Sequence, residues 1–312
     1  MPLDPRLRPV LEQAGLLKTP GPPPAAEVLL AEQRAGLPDT PNPDNERLQP
    51  VARVDELRIP GPAGVVAARL YTPEGDGPFG LLAYLHGGGW VAGGLESHDL
   101  GCRRICREGG CLVLAVEYHL PPEHTFPAGL EDCYAALCWI AEHAPEHNGD
   151  PAHLAVGGDS GGGNFAAALA LMARDRGGPP LAFQLLLVPV LDFDVGAPSW
   201  REYDGYLATR EEFLVARDLY LVYPEQQTQS YAAPALAPDL RGLPPALILT
   251  AECDPMRDSG ERYGRRLQQA GVPVTISRYP GMVHAFMALG AVVPEAANGA
   301  FAEVAQTLRS VL

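Results

Sequence analysis

From Val65 onward the chain alternates short apolar runs with amphipathic stretches. The runs Val65 to Tyr71, Leu81 to Leu85, Leu112 to Tyr118, Leu154 to Gly157, Ala182 to Pro189, Ala246 to Ala251 and Val274 to Tyr279 read as strands. They are short, nearly continuous in apolar residues and set between turn-forming residues, as strands buried on both faces are. Between them His98 to Glu108, Ala128 to His143, Gly162 to Arg174, Asp258 to Ala270 and Glu295 to Val311 carry helical periodicity. Strand and helix in alternation predict an α/β fold with a mostly parallel central sheet covered by helices on both faces.

Two segments depart from this rhythm. Residues 1–50 contain loop-like stretches at Pro20 to Pro24 and Pro38 to Asp44, and short helical ones at Pro5 to Gln13 and Ala25 to Arg34. Such a segment cannot build a core of its own and is expected to lie over something else. Residues 192–229 are too long for an ordinary crossover and carry Trp200, Tyr203, Tyr206, Phe213, Tyr220 and Tyr223, which suggests an inserted helical cover. The expected organisation is one α/β domain from 51–191 and 230–312, with 1–50 and 192–229 as two parts of a cap.

Charge narrows the range of partners. Asp and Glu number 38 against 23 Lys and Arg, for a formal net charge of −15, and Lys18 is the only lysine. With no basic cluster to release counterions, nucleic acid is excluded as an expected partner. The longest apolar run, Leu181 to Leu191, holds Gln184 and Pro189 and is too short to span a bilayer. The start, Met1-Pro2-Leu3-Asp4-Pro5-Arg6, lacks the basic and then apolar pattern of a signal peptide, so a cytoplasmic location is expected. The six cysteines form no CxxC pair and read as small buried hydrophobes.

The chemistry centres on Gly158-Asp159-Ser160-Gly161-Gly162, a G-x-S-x-G pattern between a strand and an Ala-rich helix. A serine on a sharp strand-to-helix turn needs unhindered neighbours, and the helix N-terminus adds a positive dipole end and free N–H groups. A phosphate-cradling reading lacks both the P-loop lysine and the spaced acidic residue of a dinucleotide site. His86-Gly87-Gly88-Gly89-Trp90 follows another strand, and its consecutive glycines leave backbone amides free to meet a reacting carbonyl oxygen. On this type of scaffold the acid and then the histidine follow the serine. Of eight histidines only His284 lies beyond Ser160. For the acid, Asp254 directly follows the run Ala246 to Ala251, at the sheet edge where ligands bind in open α/β sheets. Asp258 is the competitor, better placed as an N-terminal helix cap, and Glu252 is a third candidate. His119 and His124 sit in a Pro-rich loop with a spacing that suits no zinc site, so no metal is expected. Glu123 and Asp159 read as supports for the loops beside the serine.

Taken together, these residues resemble the hormone-sensitive-lipase-like (bacterial carboxylesterase) branch of the α/β-hydrolase superfamily, over roughly residues 50–312. The likeness rests on His86 to Trp90, Gly158-Asp159-Ser160 with Gly162-Gly163-Asn164, Pro122-Glu123-His124 with Phe126-Pro127-Ala128, Asp254-Pro255, and Gly281-Met282 with His284. It implies a Ser160, Asp254 and His284 triad, oxyanion donors from Gly88, Gly89 and Gly161, and no cofactor. It also implies a serine carboxylesterase acting on short- to medium-chain acyl esters, and the net charge of −15 favours a small neutral ester as substrate. Relatives often form homodimers through an edge strand, a point on which these residues are silent. Four positions depart from the family pattern. Gly161 replaces a usual Ala, Cys253 a frequent aromatic, and His119 and Pro121 a common Arg and Ala, which puts a supporting salt bridge in doubt.

Overall fold

The structure, a computed structural model, describes residues 2–37 and 41–312. Residues 38–40 of the loop read at Pro38 to Asp44 lie outside the described residues, as does Met1. The strands are β1 (Arg53–Gly61), β2 (Gly64–Thr72), β3 (Phe79–Leu85), β4 (Leu112–Glu117), β5 (Gly149–Asp159), β6 (Phe183–Leu187), β7 (Ala246–Cys253) and β8 (Val274–Val283). They form one sheet in the order β1-β2-β4-β3-β5-β6-β7-β8. β1 and β2 make an antiparallel hairpin, β2 runs antiparallel to β4, and the six strands from β4 to β8 are parallel.

The helices are α1 (Leu7–Gln13), α2 (Ala26–Gly36), α3 (Asp44–Leu48), α4 (Leu95–Gly109), α5 (Ala128–His143), α6 (Gly161–Arg176), α7 (Pro198–Tyr203), α8 (Arg210–Tyr220), α9 (Arg257–Gln269) and α10 (Pro294–Val311). Apolar residues of α5, α6 and α9 fill one core against the sheet, and those of α4, α10 and α1 fill the other. Burial on both faces explains the continuous apolar strands. α6 is apolar on all sides, and every residue from Gly161 to Ala173 is buried.

The seven expected strands are present, and β1 is an addition. Its residues alternate apolar and charged around Pro60, and only Ile59 is buried, so it gave no apolar run. β5 also begins earlier than expected, at Gly149, and β8 extends to Val283. α9 starts at Arg257, which puts Asp258 inside its first turn and not at the cap. All six cysteines are free, five of them buried and Cys138 half-buried. Among the described residues no helix is long and apolar enough to cross a membrane.

Both atypical segments meet the main fold and each other. Leu7 and Leu11 of α1 are buried in the core that contains Met282, Val283 and Phe286, and the Asp4 amide donates to Gly281 O at 3.0 Å. Leu17 forms an isolated antiparallel bridge with Tyr206, Lys18 pairs with Glu212 at 2.5 Å, and α2 lies against α8.

Candidate active site

Because β3, β5, β7 and β8 are parallel, the segments that follow them emerge at one edge of the sheet. That edge gathers the glycine loop after β3, Ser160 after β5, Asp254 after β7 and His284 after β8. Ser160 caps α6 with φ 54° and ψ −118°, a backbone region that non-glycine residues seldom occupy. Such strain costs on the order of 1–3 kcal/mol and persists where the surroundings fix it. Here the Ser160 amide donates to Leu187 O at 2.9 Å, and its carbonyl accepts from Asn164 N and Val190 N. Glycine is required on both sides of this turn. A Cβ on Gly158 would stand 2.5 Å from Gly162 O, and one on Gly162 would stand 2.6 Å from the Leu85 carbonyl carbon.

The Ser160 hydroxyl lies 2.9 Å from His284 Nε2, and His284 Nδ1 lies 2.8 Å from Asp254 Oδ2. Asp254 Oδ1 accepts from the Met256 amide at 2.8 Å, which fixes the carboxylate in the turn after β7. Asp254 is 1% exposed and His284 is 9% exposed. Burial pushes the His284 imidazole toward its neutral form. The charge and hydrogen bond of Asp254, with Asp159 further off, more than reverse this and raise its pKa above 6.5.

The three acidic candidates separate by contact. Asp254 faces His284. Asp258 accepts the Ser199 amide at 2.9 Å and Arg257 Nε at 3.0 Å, so it joins α7 to the start of α9. Glu252 accepts the Gly281 amide at 2.8 Å and so braces the end of β8 just before His284.

On the facing side, Gly88, Gly89 and Trp90 have φ of 125°, 58° and 67°. Among the described residues no acceptor is bonded to the amides of Gly88 and Gly89. The Gly161 amide heads α6, where a first-turn N–H has no partner within the helix. The Gly161 Cβ position would be 3.1 Å from Trp90 N and 3.6 Å from Gly89 N, so the head of α6 and the glycine loop border one small space. Asp159 supports the loop by accepting Gly87 N at 3.1 Å and the Tyr84 hydroxyl at 2.8 Å. Burial works against its charge, but His98 and Tyr84 hold its carboxyl below the ordinary range.

Trp90 is buried and stacks on Tyr220 with centroids 4.9 Å apart, close to Phe193 and Phe213. His119 Nδ1 lies 2.6 Å from the buried Asp132. The rings of His119 and His124 are 4.3 Å apart. Among the described residues no group of three or more His, Cys, Asp or Glu side chains is placed to hold a metal ion. Arg34 of α2 escaped the sequence reading. It contacts the glycine loop through Val91 O and pairs with Glu123.

The fold and this edge of the sheet define an α/β-hydrolase, and residues 82–288 match the family described as alpha/beta hydrolase fold. The chain belongs to this family, in its hormone-sensitive-lipase-like branch, and is a hydrolase. It is 42% identical over 243 residues to the carboxylic ester hydrolase LipN of Mycobacterium tuberculosis, covering 76% of this chain and 65% of that one. It is 44% identical over 222 residues to the carboxylesterase NlhH of the same organism, covering 70% of each. Among solved structures it is similar to a hyperthermophilic esterase from Pyrobaculum calidifontis, with TM-score 0.89, 36% identity and 99% of both chains covered.

Proposed function

We propose that the protein is a serine carboxylesterase that hydrolyses short- to medium-chain acyl esters through an acyl-enzyme on Ser160. The observation that carries this reading is the hydrogen-bonded series Ser160–His284–Asp254, beside a glycine loop whose Gly88 and Gly89 amides are bonded to no acceptor among the described residues. His284 Nε2 takes the Ser160 proton as Oγ attacks the ester carbonyl carbon. The carbonyl π electrons move to oxygen, and the three N–H groups stabilise that oxyanion. Asp254 holds the proton-bearing Nδ1 and stabilises the imidazolium. The tetrahedral adduct collapses, the C–O bond to the alcohol breaks, and His284 returns the proton to the leaving alkoxide. Water then attacks the acyl-enzyme with His284 again as base, releasing the carboxylic acid and restoring Ser160.

In this reading residues 1–50 and 192–229 form the cap, and Trp90 with the aromatic residues of the insert supplies an apolar wall for the substrate. The carboxylic ester hydrolases among its relatives support the same substrate class. The purified protein is expected to hydrolyse p-nitrophenyl butyrate faster than the palmitate ester, and Ser160→Ala to abolish turnover. Mass spectrometry after treatment with an organophosphonate should place one adduct on Ser160. Full activity in Ser160→Ala, or an adduct elsewhere, would remove the nucleophile assignment.

A further inference from the structure

We infer that Arg34, in the N-terminal segment, is a positioning residue for the oxyanion loop, an inference that rests on the esterase reading above. The loop is conformationally costly, with three successive residues at positive φ, one of them the bulky Trp90. Its near end is fixed by Asp159 through Gly87 N, and its middle is a turn in which Val91 N and Ala92 N both donate to Gly88 O. The far end is held from outside the loop. Arg34 Nε donates to Val91 O at 3.1 Å, and among the described residues Arg34 is the only side chain bonded to the backbone of residues 88–92.

The same guanidinium donates to Pro121 O at 3.1 Å and to both Glu123 oxygens at 3.0 and 2.8 Å. One planar group therefore ties α2 to the loop after β3 and to the loop after β4, strands that are neighbours in the sheet. α2 also lies against the loop, because a Cβ on Gly89 would stand 3.2 Å from Gln33 Oε1. The position of α2 and the aim of the Gly88 and Gly89 amides are thus coupled through Arg34. The fork geometry matters, since a lysine offers a point charge and cannot satisfy Val91 O, Pro121 O and a bidentate carboxylate together.

A group that aims the amides acts where the oxyanion forms, so its loss should appear in kcat more than in KM. Losing one donor outright costs on the order of 100- to 1,000-fold, and re-aiming two donors by a fraction of an ångström is expected to cost about tenfold. The test measures kcat and KM on p-nitrophenyl butyrate, and the affinity for a trifluoromethyl ketone as a stand-in for the oxyanion adduct. The proteins compared are the wild type, Arg34→Ala, Arg34→Lys and Glu123→Gln. Expected for Arg34→Ala are a kcat about tenfold down, a KM within about threefold, and ketone affinity reduced in step with kcat/KM. Arg34→Lys should recover only part, and Glu123→Gln, which keeps the bond to Val91 O, should lose less than Arg34→Ala. If Arg34→Ala is not recovered folded, Arg34→Lys carries the same comparison. A change confined to KM, an unchanged ketone affinity, or full rescue by lysine would overturn the role of Arg34 with the esterase reading intact. A wild type inactive on the ester would overturn both.

Discussion

Replacing Gly162 by alanine adds one methyl group at the most crowded point of the serine turn. That methyl would lie 2.6 Å from the Leu85 carbonyl carbon and closer still to the carbonyl oxygens of Leu85 and His86. Carbon atoms rest about 3.5 Å apart or more, so the overlap is roughly 1 Å. The atoms it strikes are backbone at the end of β3 and the start of the oxyanion loop, and no side-chain rotation relieves them. α6 cannot withdraw cheaply, because its buried stretch from Gly161 to Ala173 is packed on all sides. Overpacking of this kind costs on the order of 1–3 kcal/mol or more, and the gain in helix propensity from Gly to Ala returns at most about 1 kcal/mol. A net loss of about 2 kcal/mol is expected, read as a thermal midpoint lower by roughly 3 °C in a chain of 312 residues. Any displacement that relieves the overlap also moves Ser160, and a misplacement near 1 Å costs about 100-fold in turnover. Gly161→Ala is the control one residue away. Its methyl would meet Trp90 N at 3.1 Å, which a shift of a few tenths of an ångström relieves, so its midpoint should stay within about 1 °C. Thermal unfolding and p-nitrophenyl butyrate turnover on both variants decide the matter. Wild-type stability and activity in Gly162→Ala, or equal damage in the two, would refute the steric reasoning.

His284 must be neutral to act as base, and its pKa is raised above 6.5. The acid limb of kcat/KM should therefore fall at pH values above 6.5, and a limb centred below that value would contradict the influence of Asp254. Asp254→Asn leaves the size of the side chain unchanged but removes the charge and favours the wrong imidazole tautomer, so turnover should fall on the order of 10,000-fold. Asp258→Asn disturbs only the junction of α7 and α9 and should keep turnover within a few-fold, with a stability loss of about 1 kcal/mol in a denaturant titration. Comparable losses of turnover in the two would reopen the choice of acid.

How much the sequence revealed depended on how local each signal is. Strands buried on both faces announce themselves as apolar runs, whereas β1 is held by its hairpin with β2 and buries only Ile59. Ser160 was legible because its turn needs glycines at fixed offsets, and His284 because chain order left a single histidine. Asp258 looked like a cap from its place before a helical pattern, but α9 begins one residue earlier and the carboxylate turns to Ser199. Arg34 stayed hidden since nothing within the sequence of α2 says which loops that helix will lie against.

The burial of α6 from Gly161 to Ala173 has a consequence for how such a molecule can change over time. Ser160, the proposed nucleophile, stands at the head of a helix whose first thirteen residues are buried, so almost any substitution there is felt at once. The segments that approach it from outside, 2–37 and 192–229, carry half-buried and exposed positions throughout. With these segments as the proposed cap, selection, or a mutant library, has a rigid bench on which the reaction is set and a loosely specified housing in which new substrates can be tried. With Arg34 joining the two, a revised housing still has to hand one guanidinium back to the bench.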